Sequence, residues 1–303
     1  MDIFPLESGE LLVGYRGRIA AANNCKRAEQ VRRLLIERFP PQKGFRGQGI
    51  VPSLSAALDT PVRTLLQDHT VYPLFAAFAR REALEDPSKS PYSDSYSSAW
   101  LRLARPRLAL CSTCIEQDMD TIHISCWRRD HQLPGVFHCY KHGTELLFRS
   151  PAPLMNERPH EVIPTARRGP AVAVDAAVSN PVARQSISLL RALLACRQTA
   201  SREQITHSLQ SLAFSGRSSP QAQGIIGEVS QEIARKVPAE WRADLMPHSK
   251  GKSPERMVFV TAALSAETFE LSAAAVVLLL SLFNVPECAA ISLMRGSCEE
   301  AAF

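Results

Sequence analysis

Cys111 and Cys114 stand three apart in CSTC, and Cys139 and His142 stand three apart in CYKH. Two thiolates spaced C-x2-C can turn back onto one ion, and a C-x2-H pair can do the same with a thiolate and an imidazole. Twenty-four residues separate the pairs. Together they make a Cys3His set, a usual tetrahedral complement for Zn2+. Four protein ligands close the site to water, so the expected single Zn2+ is structural and hydrolysis is disfavoured. Metal binding would then add folding free energy to a small lobe. Two rival readings stand beside this one. A C-x2-C pair is also a redox dithiol, although that leaves Cys139 and His142 unexplained and no βαβ pattern flanks it. The thiols could also be free core residues.

The neighbours of the four residues have their own readings. His138 competes with His142 for the fourth position, and the C-x2-H spacing favours His142. His123 and His131 are candidates for a second ion, for an outer hydrogen bond or for plain surface. Glu116, Asp118 and Asp120 are the carboxylates a zinc nuclease or hydrolase would need, but a solvated loop accounts for them more simply. Cys126 and Trp127 read as core residues, with Arg128 and Arg129 beside them to present charge outward.

The elements that must position these residues are mostly helical. Apolar spacing predicts helices over 10–24 and 25–39, then short helices around 53–58, 62–68 and 72–85. The stretch 40–49 reads as a Pro/Gly-rich loop, and the polar stretch 85–98 as a linker. Five prolines in 151–170 argue for an extended, irregular crossover. Helix returns from Asn180. Ser201 and Gln204 have the spacing of a capping box. The segment 215–220 reads as a turn, and 222–237 as the next helix, giving a helix-turn-helix outline. Residues 254–303 read as apolar and helical, with the tail from Ser292 fraying. The expected fold is therefore mainly α, with three parts: a helical lobe over 1–90, a zinc lobe over 99–150 and a helical domain over 180–303.

The chain of 303 residues is 45% apolar, enough for a substantial core. Its longest apolar run, 271–283, is too short to cross a bilayer and reads as a buried helix. The N-terminus lacks the basic and apolar segments of a secretory signal, so the expected location is the bacterial cytoplasm, near the nucleoid, with no membrane partner. Eight cysteines should be reduced there. The net charge is +5, and the surplus is concentrated. Between residues 14 and 46 there are nine basic residues against two acids. Arg16, Arg18, Lys26, Arg27, Arg32 and Arg33, together with Arg128 and Arg129, are the candidates for a surface facing nucleic acid or a partner, because clustered Lys and Arg release counterions from phosphates. A solvated helix face is the plainer alternative.

CSTC, then CWRRDHQLPGV, then CYKHG resembles the TniQ/TnsD family of transposon target-selection proteins. FPLESGELLVGYRGR at 4–18 and DHTVYPLFAAF at 68–78 are similar to that family's opening and to its HT-x-x-P segment. Ser112 replaces a Pro of the pattern, Cys126 stands where an aromatic is common, and no second C-x2-C pair follows residue 142. The resemblance implies Cys111, Cys114, Cys139 and His142 as zinc ligands. It implies a helical protein with helix-turn-helix parts, without catalysis of its own, that directs a transposase and an AAA+ ATPase to a DNA target. Such proteins read DNA directly or dock, often as dimers, on a guide-RNA effector complex of a CRISPR-associated transposon. A zinc-stabilised transcription regulator unrelated to transposition is the alternative that shared motifs allow, and a zinc enzyme is a third.

Overall fold

The computed structural model describes residues 1–26, 28–40, 50–78, 105, 107–149, 157–215, 222–246, 257–264 and 271–296. It is mainly α-helical, as the periodicity predicts, with one small sheet. The chain divides into two compact units. The first comprises Met1–Tyr72, Glu82–Gln132 and Phe137–Gly169; the second comprises Pro73–Arg81, Leu133–Val136 and Pro170–Phe303.

The first unit starts with α1 (Leu12–Ala22), α2 (Ala28–Arg38), α3 (Ile50–Leu58) and α4 (Val62–His69). Each helix packs on the next. Val31 and Leu35, one helical turn apart, place the apolar stripe of α2 inward, and both are fully buried. Tyr15, Ile19, Leu54 and Leu65 join them, and the same core takes in Leu108, Leu110, Ile115 and Trp127.

Those last four residues belong to the second half of the unit. It runs through β1 (Leu108–Leu110), α6 (Ser112–Ile122), a 3-10 turn (Asp130–Gln132), β2 (Leu147–Arg149), α7 (Pro159–Val162) and β3 (Arg167–Arg168). The sheet is antiparallel in the order β1-β2-β3, with Leu110 opposite Leu147 and Leu147 opposite Arg168.

Described residues from both of the lobes expected over 1–90 and 99–150 thus share one core, while Pro73–Arg81 and Leu133–Val136 fall in the second unit. The segment 126–129 joins them. Leu11 N donates to Trp127 O at 2.7 Å, Arg129 N donates to Gly9 O at 2.8 Å, and Glu10 pairs with Arg128 in an antiparallel bridge. The described part of the crossover, 157–170, is also more regular than its prolines suggest. Pro159 opens α7, where the missing N–H costs nothing, and residues 167–168 add a strand to the sheet.

The second unit contains α5 from Pro73 onward (Tyr72–Ala76), α8 (Ala171–Ser179), α9 (Pro181–Ala195), α10 (Arg202–Phe214), α11 (Ala222–Lys236), α12 (Ala239–Leu245), α13 (Val258–Leu264), α14 (Ala273–Leu282) and α15 (Glu287–Arg295). Helix α5 ends at Ala76, short of the expected 85; residues 79–104 lie outside the described ones. The capping box forms as its spacing predicts: Gln204 N donates to Ser201 Oγ at 3.2 Å, and Ser201 N donates to Gln204 Oε1 at 2.9 Å.

Helix α14, apolar but for Ser281, is buried at every position except the half-buried Ala274, against α9, α10 and α13. Residues 292–295, expected to fray, continue α15 until Gly296 ends it in a left-handed cap. Within this unit the short segment Leu133–Val136 is held by α12. Trp241 Nε1 donates to Gly135 O at 2.9 Å, and Gly135 N donates to Asp244 Oδ2 at 2.8 Å. No helix among the described residues is long and apolar enough to cross a membrane.

Candidate metal centre

The first knuckle is built by the strand-to-helix step from β1 into α6. Cys111 is the N-cap of α6, and its Sγ accepts from Cys114 N at 3.5 Å. Both sulfurs therefore lie at the positive end of the helix, where thiolate is favoured. The second knuckle is a tight hairpin. His138 pairs with Glu145, Cys139 N donates to Thr144 O at 2.8 Å and Gly143 N donates to Cys139 O at 2.8 Å. Gly143 sits at φ +66°, which lets the chain reverse directly after His142.

The two knuckles converge. Ligand atoms of Cys111, Cys114, Cys139 and His142 all lie within 4.8 Å of one another, and this group could hold a metal ion. His142 Nδ1 stands 3.5 Å from Cys111 Sγ, 3.4 Å from Cys114 Sγ and 3.5 Å from Cys139 Sγ. Cys114 Sγ and Cys139 Sγ are 3.7 Å apart. A tetrahedral ion with metal–sulfur bonds of about 2.3 Å and metal–nitrogen bonds of about 2.0–2.1 Å requires S···N edges of about 3.5 Å and S···S edges of about 3.8 Å. The donor set fits such an ion in both chemistry and spacing.

The thiols titrate as a group. Hydrogen bonds from Cys114 and Cys139 hold the Cys111 thiol far below its ordinary value, and bonding to Cys111 pushes the other two up. Protons shared in this way are those a divalent cation displaces when thiolates bind it.

Cys111, Cys114 and Cys139 are buried, and His142 is half-buried. His138 does not join the cluster. His123 is exposed at the end of α6, its Nδ1 3.1 Å from Met119 O. His131 is buried beside the thiols, with Nε2 3.4 Å from Cys139 Sγ and 4.0 Å from Cys114 Sγ. Glu116 and Asp120 are exposed. Asp118, expected in a solvated loop, is instead buried on α6, where it accepts from Cys126 N at 3.0 Å and pairs with Arg128. Cys126 and Trp127 are core residues, as expected.

The basic candidates separate into three sets. Arg16 and Arg18 are buried, at 7% and 3% exposure. Arg18 Nε faces Glu10 Oε1 at 3.1 Å, and its Nη2 donates to Pro5 O at 2.7 Å, so its charge is used inside the unit and not at a phosphate. Arg128 and Arg129 also turn inward, Arg128 to Asp118 and Ser8 O, Arg129 to Gln67 O at 2.5 Å. Lys26 and Arg33 are exposed, and Arg32 is partly exposed while paired with Glu29 at 2.6 Å. Arg27 lies outside the described residues. Two basic residues not singled out in the sequence, Arg167 and Arg168, are exposed on the edge strand β3. Only a two-residue doublet marked them in the chain.

Residues 4–146 match the family model TniQ. A stretch of 95 residues, 29% of the chain, is 25% identical to "Transposon Tn7 transposition protein TnsD" of Escherichia coli. The match spans 19% of that relative's length. The family match contains all four residues of the cluster.

Proposed function

We propose, for a chain whose residues 4–146 belong to the TniQ family, that it is a target-selection adaptor of transposition. In this reading Cys111, Cys114, Cys139 and His142 hold one structural Zn2+ that fixes the fold of the first unit. The protein then brings an AAA+ ATPase and a transposase to a DNA target through protein contacts, as a monomer or a dimer, and carries out no chemistry itself. The observation that carries the reading is the family match, which encloses the whole closed Cys3His set.

The distribution of charge favours an adaptor over a direct reader of a DNA site. From residue 170 onward acids and bases balance at twelve each. Helix α11, the second of the helix-turn-helix outline, exposes Gly224, Glu228, Gln231 and Arg235, a face with no basic surplus. A recognition helix needs a positive footprint to approach the phosphates. The local basic surplus over residues 14–46 lies in the first unit instead, where Lys26 and Arg33 are exposed and Arg32 is partly exposed. They suit weak, sequence-independent contact with DNA beside a partner that chooses the site, such as a guide-RNA effector complex.

Binding of the purified, zinc-loaded protein to fragmented genomic DNA at near-physiological salt, with bound fragments sequenced, tests this. Uniform weak recovery that collapses as salt rises is expected. Recovery of one site at nanomolar affinity would replace the adaptor with a direct reader.

A further inference from the structure

His131 lies outside the four-residue set yet points at it. Its Nε2 is 3.4 Å from Cys139 Sγ and 4.0 Å from Cys114 Sγ, so it approaches one edge of the tetrahedron from outside. A fifth ligand would stand close to all four vertices, and His131 is not part of the group whose ligand atoms all lie within 4.8 Å of one another. At 3.4 Å from a sulfur, a ring N–H is placed to donate a hydrogen bond.

The turn that carries His131 is built to hold it there. Its neighbour Gln132 pairs with β1 on both sides of Ala109: Ala109 N donates to Gln132 Oε1 at 3.0 Å, and Gln132 Nε2 donates to Ala109 O at 2.7 Å. Ala109 is two residues before Cys111, so this one side chain fixes the 130–132 turn against the strand that delivers the first ligand. Arg105 Nη1 donates to His131 O at 3.2 Å from the other side. His131 itself is 2% exposed.

We propose that His131 is the positioning residue of the metal centre: its Nε2–H donates to Cys139 Sγ, fixing that thiolate and drawing off part of its charge. Three thiolates and one neutral imidazole around a divalent ion leave a net charge of −1 inside the protein, and buried negative charge is costly without donors. Cys111 has donors of its own in Thr144 Oγ1, at 3.1 Å, and Cys114 N. His131 does the corresponding work on the side of Cys139. It also covers that sulfur from electrophiles. This rests on the metal reading of the cluster and is independent of the role in transposition.

The test uses the full chain as native protein, His131→Phe and His131→Gln. His131→Phe is expected to weaken zinc binding about 10–100-fold in a chelator competition, and to speed alkylation of Cys139 by iodoacetamide. His131→Gln, whose amide can donate from the same reach, is expected to recover most of both. A glutamine variant as impaired as the phenylalanine one would reduce His131 to packing and overturn the proposal, as would a phenylalanine variant that behaves like native protein. Should either variant not fold, the native protein decides: a long-range proton–nitrogen spectrum must show His131 protonated at Nε2, and an Nε2 without a proton ends the proposal. Native protein that retains no stoichiometric metal would sink the centre itself, whereas normal metal content with unchanged affinity and reactivity would sink only the role of His131.

Discussion

Gly14 on α1 and Trp127 are in such close contact that a Cβ built on Gly14 would stand 2.7 Å from the indole Cδ1 and 2.8 Å from the tryptophan Cβ. The indole lies where any other residue's side chain would start. Its Nε1 is anchored by donation to Glu157 O at 3.0 Å, so it cannot simply swing away. Gly14→Ala is therefore expected to destabilise the first unit by about 1–3 kcal/mol, the usual cost of overpacking. Chemical denaturation followed by Trp fluorescence measures it. A change within a few tenths of a kcal/mol would mean that the contact relaxes freely.

In the proposed zinc centre, Cys139→Ser removes one thiolate and leaves the remaining three ligands with an incomplete tetrahedron. The expected result is a metal content near zero and a lower melting temperature, because the second knuckle and β2 hang on that residue. Metal analysis beside a thermal melt checks both at once. A variant with full metal content and an unchanged melt would sink the assignment of Cys139 as a ligand.

The arginines predict opposite phenotypes. Arg18→Met leaves Glu10 buried without its ion-pair partner, and breaking a buried pair on one side costs about 3–5 kcal/mol. Arg32→Glu with Arg33→Glu changes a solvent-facing surface of α2 and is expected to leave the melt nearly unchanged. The double variant should lower DNA or partner binding and flatten its salt dependence. Unchanged binding would return that face to solvent alone.

Burial raises the Glu10 carboxyl from 4.5 to about 7 against the opposing pull of Arg18. The unfolded carboxyl loses its proton near 4.5, so between there and about 7 the native state binds more protons than the unfolded one. Stability should thus fall as pH rises through that window and level off above it, by about 3 kcal/mol in all. Glu10→Gln is expected to abolish that slope. Urea melts at intervals across the window read it directly, and parallel slopes in both proteins would remove Glu10 as the cause.

Much of the Cys/His cluster was legible from the chain because its two halves are local. A C-x2-C at a helix start and a C-x2-H in a tight hairpin bring their own donors together over three residues, and only the meeting of the two halves needs the fold. The same holds for the capping box at Ser201 and Gln204 and for α14, whose apolar run, broken only by Ser281, offers no polar face. The position of His131 was less legible. The sequence places an imidazole near the thiols but leaves open whether it is ligand, outer donor or surface, and the clamp of Gln132 on Ala109 decides this.

Charge was the least legible property. Read along the chain, Arg16, Arg18, Lys26, Arg32 and Arg33 form one basic stretch, and Arg128 and Arg129 look like an outward doublet. In the fold Arg18 donates at 3.4 Å to Cys126, 108 residues away, and Arg129 bonds to a carbonyl 62 residues away. A guanidinium is equally at home facing water or facing buried carboxylates and carbonyls, and its own sequence does not distinguish the two.

By itself, then, the sequence determined what short-range geometry and sustained apolarity determine: the two halves of the Cys/His cluster, the helix starts, the helical class and the buried central helix. The tertiary structure alone decided that α1 to α4 share a core with β1, α6 and Trp127, that Asp118 is an internal ion-pair partner, and which arginines are left to meet anything outside. The physical reason is range. Caps and knuckles close over three or four residues, whereas burial of a charge depends on which distant segment arrives to pair with it.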